Sequence, residues 1–120
     1  MLAQRAAALA KRSIKGDAKA LGLRLAVSMV DLTTLEGADT PGRVKALCAR
    51  ALHPCPSAVA MPVPHVAAAC IYPRLVPVAH AALAGSSVKV ASVATAFPSG
   101  QTSLDLRLKE TQAAVSAGAD

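Results

Sequence analysis

Aromatic residues are almost missing from this chain. Its 120 residues include one tyrosine, one phenylalanine and no tryptophan. The stacked aromatic platforms on which single-stranded nucleic-acid binders lay successive bases are therefore excluded. With 53% hydrophobic residues, alanine, valine and leucine have to build the core, and small side chains of that kind suit helices packed closely on a parallel sheet. No apolar run approaches the roughly 20 residues that a membrane-spanning helix requires. No G-x-G-x-x-G and no G-x-x-x-x-G-K-S/T follows an apolar run, so the usual marks of a nucleotide-binding open sheet are absent. No acidic residue precedes Asp17, and the Ala-rich, basic stretch before it has neither the long apolar core nor the cleavage site of a secretory signal.

Cysteine is sparse as well. Cys48, Cys55 and Cys70 are odd in number and keep no disulfide-framework spacing, which points to free thiols in a reducing compartment and to a cytoplasmic location. His53 and His65 lie near them, but no C-x-x-C or H-x-x-x-H pair is formed and prolines interrupt the region, so no metal site is expected. The charge balance, 13 basic against 7 acidic residues, favours an anionic partner such as a phosphate ester, an RNA or an acidic membrane. Without aromatic or motif support, the positive charge reads as a solvated surface, and neither a nucleic-acid nor a membrane partner is expected.

What is present has the rhythm of alternating strands and helices. Residues 2–14 set Leu2, Ala6, Leu9, Ala10 and Ile14 on one helical face, away from Lys11 and its basic neighbours, so a basic amphipathic helix occupies residues 1–17. A second helix is predicted over about 18–26, with Ala18, Leu21 and Leu25 as its buried stripe, leading into a first strand at 27–33. Asp31 and Thr33 would lie where that strand hands over to its loop. Thr40 is a good N-cap and Pro41 suits the first helical position. Behind them Val44, Leu47, Cys48, Ala51 and Leu52 recur at helical spacing, which makes Cys48 a core side chain.

Residues 53–65 carry four prolines in thirteen positions, so a stiff surface loop is expected, with Cys55 exposed and His65 at its edge. The apolar run 66–72 reads as a strand covered on both faces. Pro73 opens a helix over 73–84 with Leu75, Val76, Ala79, Ala82 and Leu83 inward and Gly85 as its stop. A third strand is predicted at 88–95 and a helix at about 103–117, capped by Ser103 or Thr102. That helix carries Leu104, Leu108, Thr111 and Val115 on one face and an Asp105–Lys109 pair. Three βα units after a helical lead-in predict an α/β fold, either a doubly wound sheet or part of a (β/α)₈ barrel. Ordered by strand ends, the candidate site residues are Asp31 and Thr33, then Cys70 and Tyr72, then Thr95, Phe97 and Ser99, where parallel folds hold their chemistry.

Three blocks at these strand ends carry a resemblance: V-D-L-T-T-L at 30–35, A-A-C-I-Y-P-R at 68–74 and A-S-V-A-T-A-F-P-S-G-Q-T at 91–102. Together with the A-A-V-S-A-G-A-D of 113–120 they resemble deoxyribose-phosphate aldolase over about residues 20–120. The resemblance implies the amino-terminal half of a (β/α)₈ TIM barrel, about three βα units over 18–120, ending before strand four. It implies a class I, metal-free aldolase without a cofactor, in which a lysine forms a Schiff base with the carbonyl substrate. The family reaction is reversible cleavage of 2-deoxy-D-ribose 5-phosphate to D-glyceraldehyde 3-phosphate and acetaldehyde. By motif, Asp31 matches an aspartate of the site's hydrogen-bond network, Thr33 a hydroxyl near the substrate, and Cys70 a cysteine lining the pocket.

The family's Schiff-base lysine and its partner lysine belong to later strands, beyond residue 120. Lys89 is the one lysine in a predicted strand, and it sits at the amino end, away from the catalytic rim. The 120-residue polypeptide is accordingly expected to be inactive by itself. The alternative expectation is a non-catalytic half-barrel that associates with a second copy or with a complementary fragment through its open strand edges.

Overall fold

The computed structural model describes residues 1–55 and 62–120. Three short parallel strands lie in the order β1 (Asp31–Thr33), β2 (Ala68–Ile71), β3 (Lys89–Ser92). Five α-helices accompany them among the described residues: α1 (Leu2–Ala10), α2 (Gly16–Ser28), α3 (Pro41–Leu52), α4 (Val76–Ala82) and α5 (Leu104–Ser116), with a 3₁₀ turn at Pro73–Leu75 ahead of α4. The expected α/β architecture of about three βα units behind a helical lead-in is what the chain forms.

The register fixes the two faces of the sheet. Asp31 aligns with Ala68 and Lys89, Leu32 with Ala69 and Val90, Thr33 with Cys70 and Ala91. Aligned residues of a parallel sheet project to the same side. Leu32, Ala69, Ile71 and Val90 face α3 and α4, where Val44, Leu47, Cys48, Ala51, Val76, Ala79 and Leu83 complete the core. The opposite face carries Asp31, Thr33, Ala68 and Cys70 and has no helical cover among the described residues. β2 thus alternates half-buried and buried residues. The expectation of a strand closed on both faces is met only on the helical side.

The caps of α3 and α5 follow the sequence. The Thr40 side chain accepts from the Arg43 amide with Pro41 in the first turn, and Ser103, rather than Thr102, caps α5 by accepting from Leu106. Asp105 and Lys109 pair at 2.8 Å along α5. Gly85 adopts the left-handed φ of 79° that ends the turn after α4. Cys48 is buried and Cys55 exposed. The rest of the proline-rich loop, residues 56–61, lies outside the described residues.

Four expectations change. The first strand does not begin at 27, because α2 continues to Ser28 and only Asp31–Thr33 enter the ladder. The second and third strands shorten to 68–71 and 89–92. The stripe expected on α2 is not buried: Leu21 and Leu25 are exposed, and Val27 is the residue of that helix that packs on the core. Alpha-helical periodicity selects a face, but a face is buried only where another element meets it. The helix predicted over 2–14 ends at Ala10 and buries none of its residues.

Large apolar areas remain open. The chain exposes 8338 Å², against about 6,000 Å² for a compact protein of its mass. Its radius of gyration of 18.3 Å likewise exceeds the roughly 14 Å of a compact domain of this length. Leu104, Leu108 and Val115 of α5 account for part of the difference; that helix buries Ala114 alone.

Candidate functional site

The uncovered sheet face brings three of the sequence candidates together. The Thr33 hydroxyl donates to Asp31 Oδ2 at 3.0 Å, two residues apart on one side of β1. Cys70 is aligned with Thr33 on the neighbouring strand. Burial pushes the Cys70 thiol up from its ordinary range, the Thr33 hydroxyl works in the opposite direction by favouring the thiolate, and the Asp31 charge raises it further. At neutral pH this leaves a protonated thiol next to an aspartate and a hydroxyl, a polar cluster with no strong nucleophile. Asp31 opens β1 and Thr33 closes it, so Asp31 lies one pleat deeper than a strand-end reading implies.

Behind Thr33, a network not foreseen from the sequence shapes the loop from β1 to α3. The Asp39 side chain, 2% exposed, accepts the Thr34 hydroxyl at 2.9 and 3.0 Å and the Glu36 amide at 3.0 Å. Arg43 Nε approaches the same carboxylate at 3.4 Å, and Arg74, in the 3₁₀ turn that follows β2, donates to the Asp39 carbonyl at 3.4 Å. The one available signal was an aspartate immediately before the cap-and-proline pair Thr40-Pro41. A carboxylate in that place can close its own loop while the next residue caps the helix.

The loop after β3 is held by a second carboxylate. Thr95 and Ala96 both take left-handed φ angles, 64° and 59°, a conformation that costs non-glycine residues about 1–2 kcal/mol each. Glu110 of α5 accepts the Ala96 amide at 2.6 Å, and Gly100 donates to the Ala96 carbonyl at 2.8 Å. The loop therefore closes on itself between Ala96 and Gly100 and is tied to α5. Its Phe97 ring meets Tyr72 edge-on at a centroid distance of 6.5 Å, so the chain's two aromatics stand together beside the strand ends. Ser99 is exposed, and its hydroxyl accepts the Gln101 amide within the loop.

Lys89 does not join this cluster. It is the first residue of β3, and its ammonium pairs with Asp120 at 2.8 Å. The Asp120 carboxylate also accepts the Val90 amide, and the Asp120 amide donates to the Val90 carbonyl, so the chain at 120 runs alongside β3. These contacts hold the Asp120 carboxyl below the usual range, the Lys89 hydrogen bond first among them. No group of three or more histidine, cysteine or acidic side chains among the described residues has the geometry of a metal site. No helix of the described residues is long and apolar enough to cross a membrane.

No protein-family profile matches the chain. Individual proteins do. Deoxyribose-phosphate aldolase of Mus musculus is 46% identical over 118 residues, and that of Homo sapiens 41%, each alignment taking in 92% of this chain. The chain spans 37% of the length of these curated relatives. Among solved structures, a protein assigned as a deoxyribose-phosphate aldolase in Coccidioides immitis superposes with a TM-score of 0.68 at 27% identity, covering 80% of this chain and 34% of that one. A tetrameric deoxyribose phosphate aldolase from Aeropyrum pernix gives 0.65 at 26% identity, covering 80% and 36%. By sequence over nearly its whole length and by fold over four-fifths of it, this chain is a relative of the deoxyribose-phosphate aldolases.

Proposed function

We propose that residues 18–120 are the amino-terminal half of a class I aldolase barrel that cleaves 2-deoxy-D-ribose 5-phosphate, with residues 1–17 as a basic helical lead-in. The observation that carries this reading is the meeting of Asp31, Thr33 and Cys70 on the uncovered sheet face, in a chain 41–46% identical to proteins named for that reaction. In a closed barrel this face is the interior. The Schiff-base chemistry belongs to a lysine amine that attacks the substrate carbonyl and expels water. The roles left to this segment are supporting ones. Asp31 offers a fixed negative charge to a cationic lysine or a travelling proton. Thr33, whose proton is held by Asp31, accepts a sugar hydroxyl, and Cys70 lines the pocket as a neutral thiol.

In this reading the 120-residue polypeptide does not cleave the phosphosugar alone, because the two lysines belong to later strands. Borohydride reduction in the presence of substrate leaves no lysine adduct on it; an adduct overturns the inactivity. The site assignment is tested by a chimera in which residues 20–120 replace the matching segment of the mouse relative. Asp31→Asn is expected to lower kcat at least tenfold and Thr33→Val to raise KM. Parental kinetics in both variants refute the assignment. The odd, unpaired cysteines support a reducing, cytoplasmic setting, and no metal or organic cofactor is required.

A second reading is favoured by the outer edge of β1, which pairs with no other described strand, and by an exposed area about 2,300 Å² above the compact expectation. A stable interface needs about 800 Å² from each partner. A half-barrel with these surfaces would pair with a second copy. Light scattering that finds a folded monomer at high concentration removes this reading.

A further inference from the structure

At the end of the sheet opposite the Thr33–Cys70 pair, His65 and Ser87 stand on the segments that enter β2 and β3. The Ser87 hydroxyl lies 2.8 Å from His65 Nε2, and His65 Nδ1 lies 2.8 Å from the Val66 carbonyl oxygen. In the neutral ring these two contacts determine the tautomer. A carbonyl only accepts, so Nδ1 carries the proton and donates it to Val66, which leaves Nε2 with a lone pair that accepts the Ser87 hydroxyl. The result is a nucleophile, a base and a third group that orients the base, in the order acyl transfer uses, with a backbone carbonyl in the orienting place. The neighbouring Ser86 is engaged differently: its hydroxyl donates to the Leu83 carbonyl at 2.7 Å and accepts the Val88 amide at 3.3 Å. Only one of the two adjacent serines is therefore paired with a base, and both members of that pair are open to solvent.

We propose that Ser87 is a His65-activated nucleophile that accepts acyl groups from small activated esters, an activity separate from the aldolase chemistry of the opposite end. Ser87 Oγ attacks the ester carbonyl carbon while its proton passes to His65 Nε2. The tetrahedral species collapses, the bond to the leaving oxygen breaks, and that oxygen takes the proton from Nε2. A water molecule then attacks the acyl-serine with His65 again as base, releasing the acid and restoring the Ser87 hydroxyl. The ester and one water yield one acid and one alcohol, with no oxidant or metal consumed. General-base assistance of this kind is worth about 10²-fold or more in rate.

The test uses the 120-residue chain as it stands. It is treated with a fluorophosphonate probe, which transfers its phosphonyl group to an activated serine with loss of fluoride, and the adduct is mapped by peptide mass spectrometry. Release of p-nitrophenol from p-nitrophenyl acetate is followed in parallel. A single adduct on Ser87 is expected, retained in Ser86→Ala, together with p-nitrophenol release that falls about 10²-fold in His65→Ala. An unlabelled Ser87 in the unaltered folded chain overturns the proposal. So does labelling of Ser86 in preference to Ser87, or a rate unchanged in both His65→Ala and His65→Asn. The mapping on the unaltered chain decides the matter even if a variant fails to fold, and none of these outcomes bears on the aldolase reading.

Discussion

Replacing Asp39 with alanine removes an acceptor that three donors share. The Thr34 hydroxyl spans both carboxylate oxygens at 2.9 and 3.0 Å, the Glu36 amide sits at 3.0 Å, and Arg43 Nε at 3.4 Å. Their weights differ. Arg43 is 58% exposed, and an ion pair with so solvated a partner is worth only a few tenths of a kcal/mol. The Glu36 amide lies in an exposed loop, where water can replace part of what it loses. The Thr34 hydroxyl is buried, and a buried hydrogen bond to a charged group contributes about 1.5–3 kcal/mol. Asp39→Ala should therefore destabilise the chain by about 2–3 kcal/mol, most of it from the stranded Thr34 hydroxyl. Thr34→Val in the same background should then cost much less than alone, with a coupling of about 1 kcal/mol or more. Urea unfolding followed by circular dichroism reads both quantities: a lower midpoint at unchanged slope for Asp39→Ala, and the coupling from the four-variant cycle. A shift below about 0.5 kcal/mol, or strict additivity with Thr34→Val, would refute a structural role for the buried carboxylate.

Three other perturbations test neighbouring parts of the structure. Alkylation with iodoacetamide should modify exposed Cys55 first, Cys70 slowly and buried Cys48 last, since burial raises both slower thiols. Asp31→Asn should speed the reaction at Cys70 by removing a charge that disfavours the thiolate, and Thr33→Val should slow it. Gly118 has a φ of 108°, and a β-carbon there would meet the His80 ring at 2.7 Å, so Gly118→Ala should cost about 1–3 kcal/mol in the same urea assay through backbone strain and overpacking. The Asp120 carboxyl is held low in the folded chain by Lys89 and the Val90 amide. Its stabilising tie is complete above the ordinary carboxylate range and is lost as pH falls through the lowered folded value. The Val90 amide shift should follow that titration by NMR and lose the inflection in Asp120→Asn.

Local chemistry in the sequence was enough for the elements whose limits are set by single residues. Thr40-Pro41 and Ser103 start helices because a hydroxyl beside free amides does so in almost any context. Val44, Leu47, Cys48 and Ala51 are buried because α3 has a strand and a helix to lie on. The same periodic reading misplaced the stripe of α2, whose Leu21 and Leu25 stay exposed. It also began the first strand four residues early, since helix and strand compete on equal terms for a short apolar run until the sheet register selects one.

The candidate site divides in the same way. Asp31, Thr33 and Cys70 could be named from the strand-end blocks they sit in, and the order of strands and helices announced the α/β class. That these three share one face depends on the register of β1 against β2, because a shift of one residue would send Thr33 to the helical side. The Thr34–Asp39 and Ala96–Glu110 contacts depend on loop closures, where one carboxylate among several finds a particular amide or hydroxyl. Residue type and spacing along the chain therefore determined which elements form and which chemical groups are available. Strand pairing and loop closure, which act between residues distant in sequence, decided which of those groups meet.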